Sequence, residues 1–238
     1  MRYVEVAEVL RARIAAGHVG ALPSEAELGD EFGVSRVTVR RALETLRDQG
    51  LVTSRRGAGW FVAVDPVRQP LGRVTTVESA LEAAGATATR RVLEFTFEAA
   101  PARVAKVLGL PADGEVLRVT RLNLADGEPF AIVTVWIAAS LGAEFSRSDV
   151  EGATFYELLP RLGVEPGRVV QTITAAAADR SEARRLGVPS GSPLLAARRI
   201  TYDRAGHAVI VAEHRYAAHR TAFEVEFPFT QTTGARHD

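Results

Sequence analysis

Apolar residues recur at helical spacing in three segments near the start of the chain, and each predicts an amphipathic helix. The first covers residues 3–16, and the second runs from Ser24 to a break at Gly33. The third begins after Ser35, whose side chain can accept a hydrogen bond from a free backbone N–H of the first helical turn. Its apolar stripe consists of Val39, Ala42, Leu43 and Leu46. The stripe would face a core and leave the other side of this helix outward.

The outward side near the start of the third helix is basic. It carries Arg36, Val37, Thr38, Arg40 and Arg41. Residues 51–62 then predict two short strands around a glycine-rich tip that holds Arg55 and Arg56. Two helices broken at a glycine, followed by such a hairpin, are typical of a winged helix-turn-helix, in which the start of the second helix meets base edges. Glycines let the tip approach a phosphate closely.

Charge is distributed unevenly along the chain. The 29 basic residues balance 29 acidic residues over 238 positions. Residues 35–60 nevertheless hold six arginines against Glu44 and Asp48. DNA affinity must therefore come from this local patch. The competing interpretation, a surface helix with solvated arginines, is disfavoured by the adjoining hairpin.

An internal repeat organises the second half. The segment from Ala105 to Pro129 parallels the segment from Ala183 to Gly206, and each predicts a helix, a Leu-Gly-x-Pro turn, a strand, an Asp/Gly-rich turn and a second strand. We predict further strands at 87–97, 169–177 and 222–227, and helices at 76–84 and 155–162. These elements predict an α+β domain with an antiparallel sheet of about six strands and helices on one face. The expected division is a DNA-binding domain at 1–64, a Pro-containing linker at 65–72 and a second domain at 73–232.

Several classes of chemistry lack a matching pattern. The chain has no Cys and five His, none at a spacing typical of a metal site or a catalytic triad. No signal peptide or membrane-spanning segment is predicted, so we expect a cytoplasmic protein without a membrane partner. No cofactor and no enzymatic activity are expected.

The first 60 residues resemble the N-terminal domain of GntR-type transcriptional regulators. The matching residues are Leu22-Pro23-Ser24-Glu25, Leu28, Val34-Ser35-Arg36, Thr38-Val39-Arg40, Ala42-Leu43, Gly50-Leu51, Gly57, Gly59 and Phe61-Val62. The resemblance implies binding of double-stranded DNA. One departure is Ala26, where the family often has an arginine that touches DNA. The expected DNA-binding residues are Ser24, Glu25, Ser35, Arg36, Val37, Thr38, Arg40, Arg41, Arg55, Arg56, Gly57 and Gly59.

Residues 75–230 resemble the UTRA effector-binding domain of the HutC branch, which has a chorismate lyase-like fold. The marks are Arg121 before Asp126-Gly127-Glu128-Pro129, Leu186-Gly187-Val188-Pro189, Tyr202-Asp203 with Gly206, and Tyr216 with Arg220. The resemblance implies a pocket for a small effector, and it also raises an alternative from another class, a chorismate lyase-like enzyme. The expected effector-binding residues are Arg121, Asn123, Val133, Thr154, Tyr156, Ile210 and Tyr216.

Val133 and Ile210 stand where relatives often carry Glu, and we place them at equivalent positions of the two copies. With Arg121 as the anion anchor, such a pocket suits an anionic or amphipathic metabolite better than an amino-sugar phosphate. The alternative is a shift in the alignment that makes both residues simply core. We expect a homodimer on an inverted-repeat operator, acting as a repressor that the metabolite releases.

Overall fold

The computed structural model describes residues 2–16, 20–55, 59–63, 66–71, 81 and 86–227. The chain begins with helices α1 (Tyr3–Ala15), α2 (Glu25–Phe32) and α3 (Arg36–Asp48). Ser24 and Ser35 cap α2 and α3, and Gly33 ends α2 with a positive φ of 62°. Glycine adopts this left-handed conformation without a steric penalty, so the chain can turn sharply between the two helices. Among the described helices, none is long and apolar enough to cross a membrane.

The expected hairpin follows as strands β1 (Val52–Arg55) and β2 (Gly59–Val62), which pair antiparallel. Gly59 has a φ of 95°, which favours glycine at that end of the tip. Trp60 and Val62 point into the hydrophobic core formed by the three helices. Phe61, between them, points the other way, as the alternation of side chains along a strand requires. The predicted helices and hairpin of the first domain are confirmed.

The second domain is built on a six-stranded antiparallel sheet. Its strands are β4 (Ala88–Ala99), β5 (Glu115–Ala125), β6 (Glu128–Ala138), β7 (Pro166–Ala177), β8 (Pro193–Asp203) and β9 (Ala208–Ala217). The spatial order is β4-β5-β6-β9-β8-β7. The helices are α4 (Ala102–Leu108), α5 (Ala139–Gly142), α6 (Arg147–Gly152), α7 (Phe155–Leu158) and α8 (Arg180–Leu186). A 3-10 turn, Leu159–Leu162, continues α7 and ends at Gly163.

Helices cover both faces of this sheet, so the expectation of helices on one face is wrong. Val150 of α6 and Phe155 of α7 share a core with the inner face of the sheet. On the outer face, Val104 of α4 packs with Trp136, and α8 packs near Leu122. The physical reason is that β5 and β6 carry buried side chains on both faces of the sheet, and each apolar face must be covered.

The two repeat copies are related by a pseudo-twofold arrangement. Helices α4 and α8 both lie on the outer face and both end at a left-handed glycine, Gly109 and Gly187, each with a φ of 66°. Strand β5 corresponds to β8, and β6 corresponds to β9. Since β6 and β9 are adjacent, the pseudo-twofold axis passes between them.

The segment expected as a linker contains a strand. Strand β3 (Val67–Pro70) pairs in parallel with β10 (Thr221–Glu224) as a separate two-stranded sheet. The strand expected at 222–227 is therefore not part of the main sheet and ends earlier. The helix expected at 76–84 lies outside the described residues except for Leu81, which is helical and buried in the inner-face core.

Phe61 connects the two domains. Its side chain is 1% exposed and belongs to the outer-face core of the second domain, which includes Leu122, Ile132 and Leu186. Its ring centroid is 4.4 Å from that of His219. The first domain thus docks on the outer face through a side chain that its own core does not use. We call this arrangement the Phe61 contact.

We predict that Phe61→Ala weakens this docking without unfolding the first domain, whose core is formed by other residues. Loss of a buried Phe costs about 3–5 kcal/mol. The loss should appear in denaturant unfolding and as faster hydrogen exchange around Leu122. Phe97→Ala is the matched control, because Phe97 is 45% exposed. Equal losses of stability in the two variants would contradict the assigned role of Phe61.

Candidate DNA interface and effector pocket

The start of α3 presents an exposed basic surface. Arg36, Arg40 and Arg41 are exposed, and Val37 is 77% exposed. The opposite side of α3 is fully buried in the helical core. Ser35 Oγ accepts a hydrogen bond from Thr38 N at 3.2 Å and lies 2.9 Å from Thr38 Oγ1. These two residues shape the helix start that the sequence predicted as a DNA-binding surface.

Glu25 holds the guanidinium of Arg40. Arg40 Nη2 donates to Glu25 Oε2 at 2.7 Å, and Arg40 Nε donates to both carboxylate oxygens at 3.0 and 3.2 Å. Trp60 Nε1 donates to Glu25 Oε1 at 3.2 Å. The hydrogen bond from Arg40, more than any other contact, lowers the pKa of Glu25. Glu25 therefore links the start of α2, the recognition surface of α3 and the wing.

Other predicted DNA-binding residues have structural contacts. The Arg41 guanidinium stacks over the Tyr3 ring, 4.2 Å from its centroid. Ser24 Oγ accepts a hydrogen bond from Glu27 N, and Glu27 Oε2 accepts one from Ser24 N, which completes a capping box. At the wing, the backbone of Arg55 ends β1 and Gly59 begins β2. Arg56 and Gly57 lie outside the described residues.

A pocket opens on the inner face of the main sheet, under α7. Its described lining comprises Arg121, Asn123, Val133, Val135, Thr154, Phe155, Tyr156, Arg199, Ile210, Ala212 and His214. Six of the seven predicted effector-binding residues are among them, and the exception is Tyr216. The lining that the structure describes contains two arginines and no carboxylate.

The pocket is centred on the pseudo-twofold axis. Val133 pairs with His214 and Val135 pairs with Ala212 across β6 and β9. Arg121 lies opposite Val133 on one side, and its repeat counterpart Arg199 lies opposite Ala212 on the other.

This register corrects one detail of the sequence analysis. The counterpart of Val133 is Ala212 and not Ile210, because Ile210 pairs with Thr201, two residues along β8 from Arg199. Val133 and Ile210 are both pocket lining and part of the inner-face core.

Arg121 is a buried wall of the pocket, 8% exposed. Its Nη1 lies 3.3 Å from the carbonyl oxygen of Val150 and 3.5 Å from that of Ala153. The guanidinium carbon is 5.3 Å from the centroid of the Phe155 ring. Arg121 therefore contacts the segment that joins α6 to α7, which covers the pocket.

Hydroxyl groups on the rim already have partners. Thr154 Oγ1 donates to Glu157 Oε2 at 2.8 Å and accepts from Glu157 N at 3.2 Å, so Thr154 caps α7. Tyr156 Oη is 3.1 Å from Thr201 Oγ1. Tyr216 is fully buried, with its hydroxyl 3.0 Å from His214 Nδ1. Tyr216 therefore does not line the pocket itself, but it contacts His214, which does.

His214 and Arg199 are pocket residues that the sequence analysis missed. His214 is 6% exposed and lines the pocket, where it pairs with Val133 across β6 and β9. Burial, and then the charges of Arg199 and Arg121, hold the pKa of His214 well below its ordinary 6.5. The alignment of the two repeat copies that pairs Ala105 with Ala183 also pairs Arg121 with Arg199. The second arginine could therefore have been predicted from the sequence. Within the described ranges, no group of His, Asp or Glu could hold a metal ion.

Comparison with known proteins agrees with this geometry. Residues 2–62 match the family described as bacterial regulatory proteins, gntR family, and residues 83–222 match the UTRA domain. The chain is 31% identical to the HTH-type transcriptional repressor NagR of Bacillus subtilis, over 93% of this chain and 92% of that protein. It is 36% identical to the HTH-type transcriptional regulator Rv0792c of Mycobacterium tuberculosis, over 95% and 86%. The crystal structure of PhnF from Mycobacterium smegmatis superposes with a TM-score of 0.66 at 30% identity, covering 94% of this chain and all (100%) of that one.

A winged helix joined to a separate sheet domain with a pocket defines the class of ligand-responsive transcriptional regulators. The chain belongs to the GntR family of bacterial regulators, and its second domain is a UTRA domain. It binds DNA to regulate transcription, and the UTRA domain binds effectors. The chorismate lyase-like enzyme alternative finds no support, since the relatives are transcriptional regulators.

The burial of neutral His214 predicts a pH dependence of stability. A histidine whose pKa is depressed by folding contributes stability above its unfolded pKa, and this contribution is lost as pH falls below about 6.5. His214→Gln removes this titrating group, so the free energy of unfolding should depend less on pH in the variant. The difference from wild type should be about 1.4 kcal/mol at one pH unit below 6.5. Denaturant unfolding from pH 7.5 to about 5.5 measures the effect. Parallel curves for the two proteins would contradict it.

Proposed function

We propose that this protein is a repressor whose two copies bind an inverted-repeat operator and which a small anionic or amphipathic metabolite releases. The observation that carries this proposal is the exposed basic start of α3, in a chain whose second domain contains a pocket. The relative in Bacillus subtilis is named a repressor, which supports the sign of regulation.

The recognition surface supports base readout by Arg40. A guanidinium has five N–H donors, and Glu25 engages the Nε side of Arg40 and one donor of Nη2. The donors of Nη1 and the remaining one of Nη2 can form the bidentate contact with a guanine edge that arginine commonly makes. Arg36 lies beside it for a base or phosphate, and exposed Val37 can pack on a thymine methyl. In this proposal Glu25 orients Arg40 while the wing contacts phosphates.

The route from pocket to DNA runs through β5. Arg121 and Asn123 face the pocket, whereas Leu122 between them lies on the outer face with Phe61. A ligand that moves β5 or its neighbours therefore changes the surface on which the DNA-binding domain rests. Release requires only that the ligand prefer a domain arrangement that fits the operator poorly.

We predict that Arg40→Ala lowers operator affinity by about 1–3 kcal/mol and relaxes preference at one base pair. Arg47→Ala is the matched control, since Arg47 lies at the far end of α3 and pairs with Asp48. The operator is first obtained by selecting bound genomic fragments, and affinity is then measured by fluorescence anisotropy at fixed salt. Equal affinity of Arg40→Ala and wild type would refute the assigned role of Arg40.

We also predict a homodimer held mainly by the second domain. One recognition helix reads few base pairs, so specificity needs two half-sites, and a twofold protein requires an inverted repeat. Mass measurement at micromolar concentration, free and on the operator, tests this. A monomer under both conditions would exclude it.

The proposed function as a whole is tested by adding metabolite fractions to the protein bound to its selected operator. An active fraction should weaken binding by roughly 5- to 150-fold, the usual range of allosteric coupling. If no fraction changes operator binding, the protein binds DNA but does not respond to a metabolite, and the proposed function is wrong.

A further inference from the structure

The wall of the pocket that comes from the second repeat copy contains a cation and an imidazole. Arg199 lies opposite Ala212 and His214 lies opposite Ala197, so the two are diagonal neighbours on the inner face across β8 and β9. Diagonal pairs are about 7–8 Å apart at the backbone, which long side chains span. Both residues line the pocket.

Both residues have side-chain hydrogen-bonding groups without a protein partner among the described residues. In the part of the chain that the structure describes, Arg199 donates from Nε to Gln171 Oε1 at 2.7 Å and forms no ion pair. His214 Nε2 is buried and has no hydrogen-bond partner there. Asn123, 7% exposed on the opposite wall, has a side-chain oxygen in the same condition. Buried polar groups are ordinarily satisfied, so two buried atoms without partners, Asn123 Oδ1 and His214 Nε2, beside the Arg199 cation indicate a missing polar ligand.

The chemistry of each position restricts that ligand. When Tyr216 Oη donates to His214 Nδ1, the imidazole presents an Nε2–H toward an acceptor. The free Nη groups of Arg199 match a planar or tetrahedral anion. Asn123 Oδ1 requires a donor. Between these positions the floor is aliphatic, formed by Val133, Val135 and Ala212.

We propose that Arg199 and His214 bind an anionic group of the effector, a carboxylate or a phosphate. The same ligand carries a hydrogen-bond donor for Asn123 and an aliphatic body over the floor. This inference rests on the proposed function of the pocket. It places the anion on the wall of the second copy, whereas the sequence analysis placed it at Arg121.

Binding should also change the protonation of His214. The charged or titratable groups that line the pocket or contact this imidazole, in the described residues, are Arg121, Arg199, Tyr156 and Tyr216. The two arginines contribute to the low pKa of His214. Burial is the larger cause of that low pKa, but a bound anion offsets the charge of the two arginines, so the pKa of His214 should rise as the anion binds.

The test uses the full chain with labelled histidines, of which there are five. The probes are butyrate, propyl phosphate and, as a neutral control, butanol. His214→Gln identifies the His214 signal by its loss from the NMR spectrum. We expect one or both anions to shift that signal and raise its pKa, and butanol to do neither. The carboxylate and phosphate arms distinguish the two kinds of anion.

Arg199→Gln should weaken the binding of the effective anion by about 10-fold or more, the usual effect of losing a charged hydrogen bond. Arg198→Gln is the matched control, because Arg198 is exposed on the opposite face of the same strand. Anions that leave the His214 signal unmoved, or a loss confined to Arg121→Gln, would overturn the proposal. Operator binding and its response to metabolite fractions are measured in parallel, so a failure of this subsite remains distinguishable from a failure of the proposed repressor function.

Discussion

Successive side chains of a β-strand point to opposite faces of its sheet, and the architecture of this regulator depends on that alternation in β5. Arg121 and Asn123 line the pocket on one face, and Leu122 joins the core that receives Phe61 on the other. The pocket and the DNA-binding domain are therefore separated by one layer of backbone. A sheet buried on both faces resists local adjustment, because its packed neighbours must move with it. Such a layer suits the transmission of a small change from one face to the other.

The same alternation of side chains divides the residues of β2 between the two domains. Strand β2 gives Trp60 and Val62 to the helical core and Phe61 to the second domain. Trp60 also donates to Glu25, which holds Arg40 on the recognition helix. The residue that docks the domain is thus a direct neighbour in sequence of one that hydrogen-bonds to the Glu25–Arg40 pair. Displacement of Phe61 would reach Arg40 through two side chains.

Local signals predicted what local physics determines. The caps at Ser24 and Ser35, the break at Gly33 and the helical spacing in α3 act within one or two turns, so the first domain could be predicted closely. The repeat likewise predicted the main sheet. The pairing of β3 with β10 joins segments about 150 residues apart, and the Phe61 contact depends on one aromatic side chain, so neither leaves a local pattern. For the pocket, the family resemblance predicted Arg121 and Asn123. Arg199 could have been predicted only by aligning the two repeat copies and taking the residue at the position of Arg121.

The structure suggests that the operator and the pocket communicate through the main sheet, along β5 and the Phe61 contact. Hydrogen exchange of the whole chain, free and bound to its operator fragment, tests this without knowledge of the effector. The account predicts altered exchange in β5 around Leu122 and in the α6–α7 segment that Arg121 contacts, besides the protection of α3. In Phe61→Ala, the changes in the second domain should disappear while α3 remains protected. Exchange that changes only within residues 2–62 of the wild type would contradict the account.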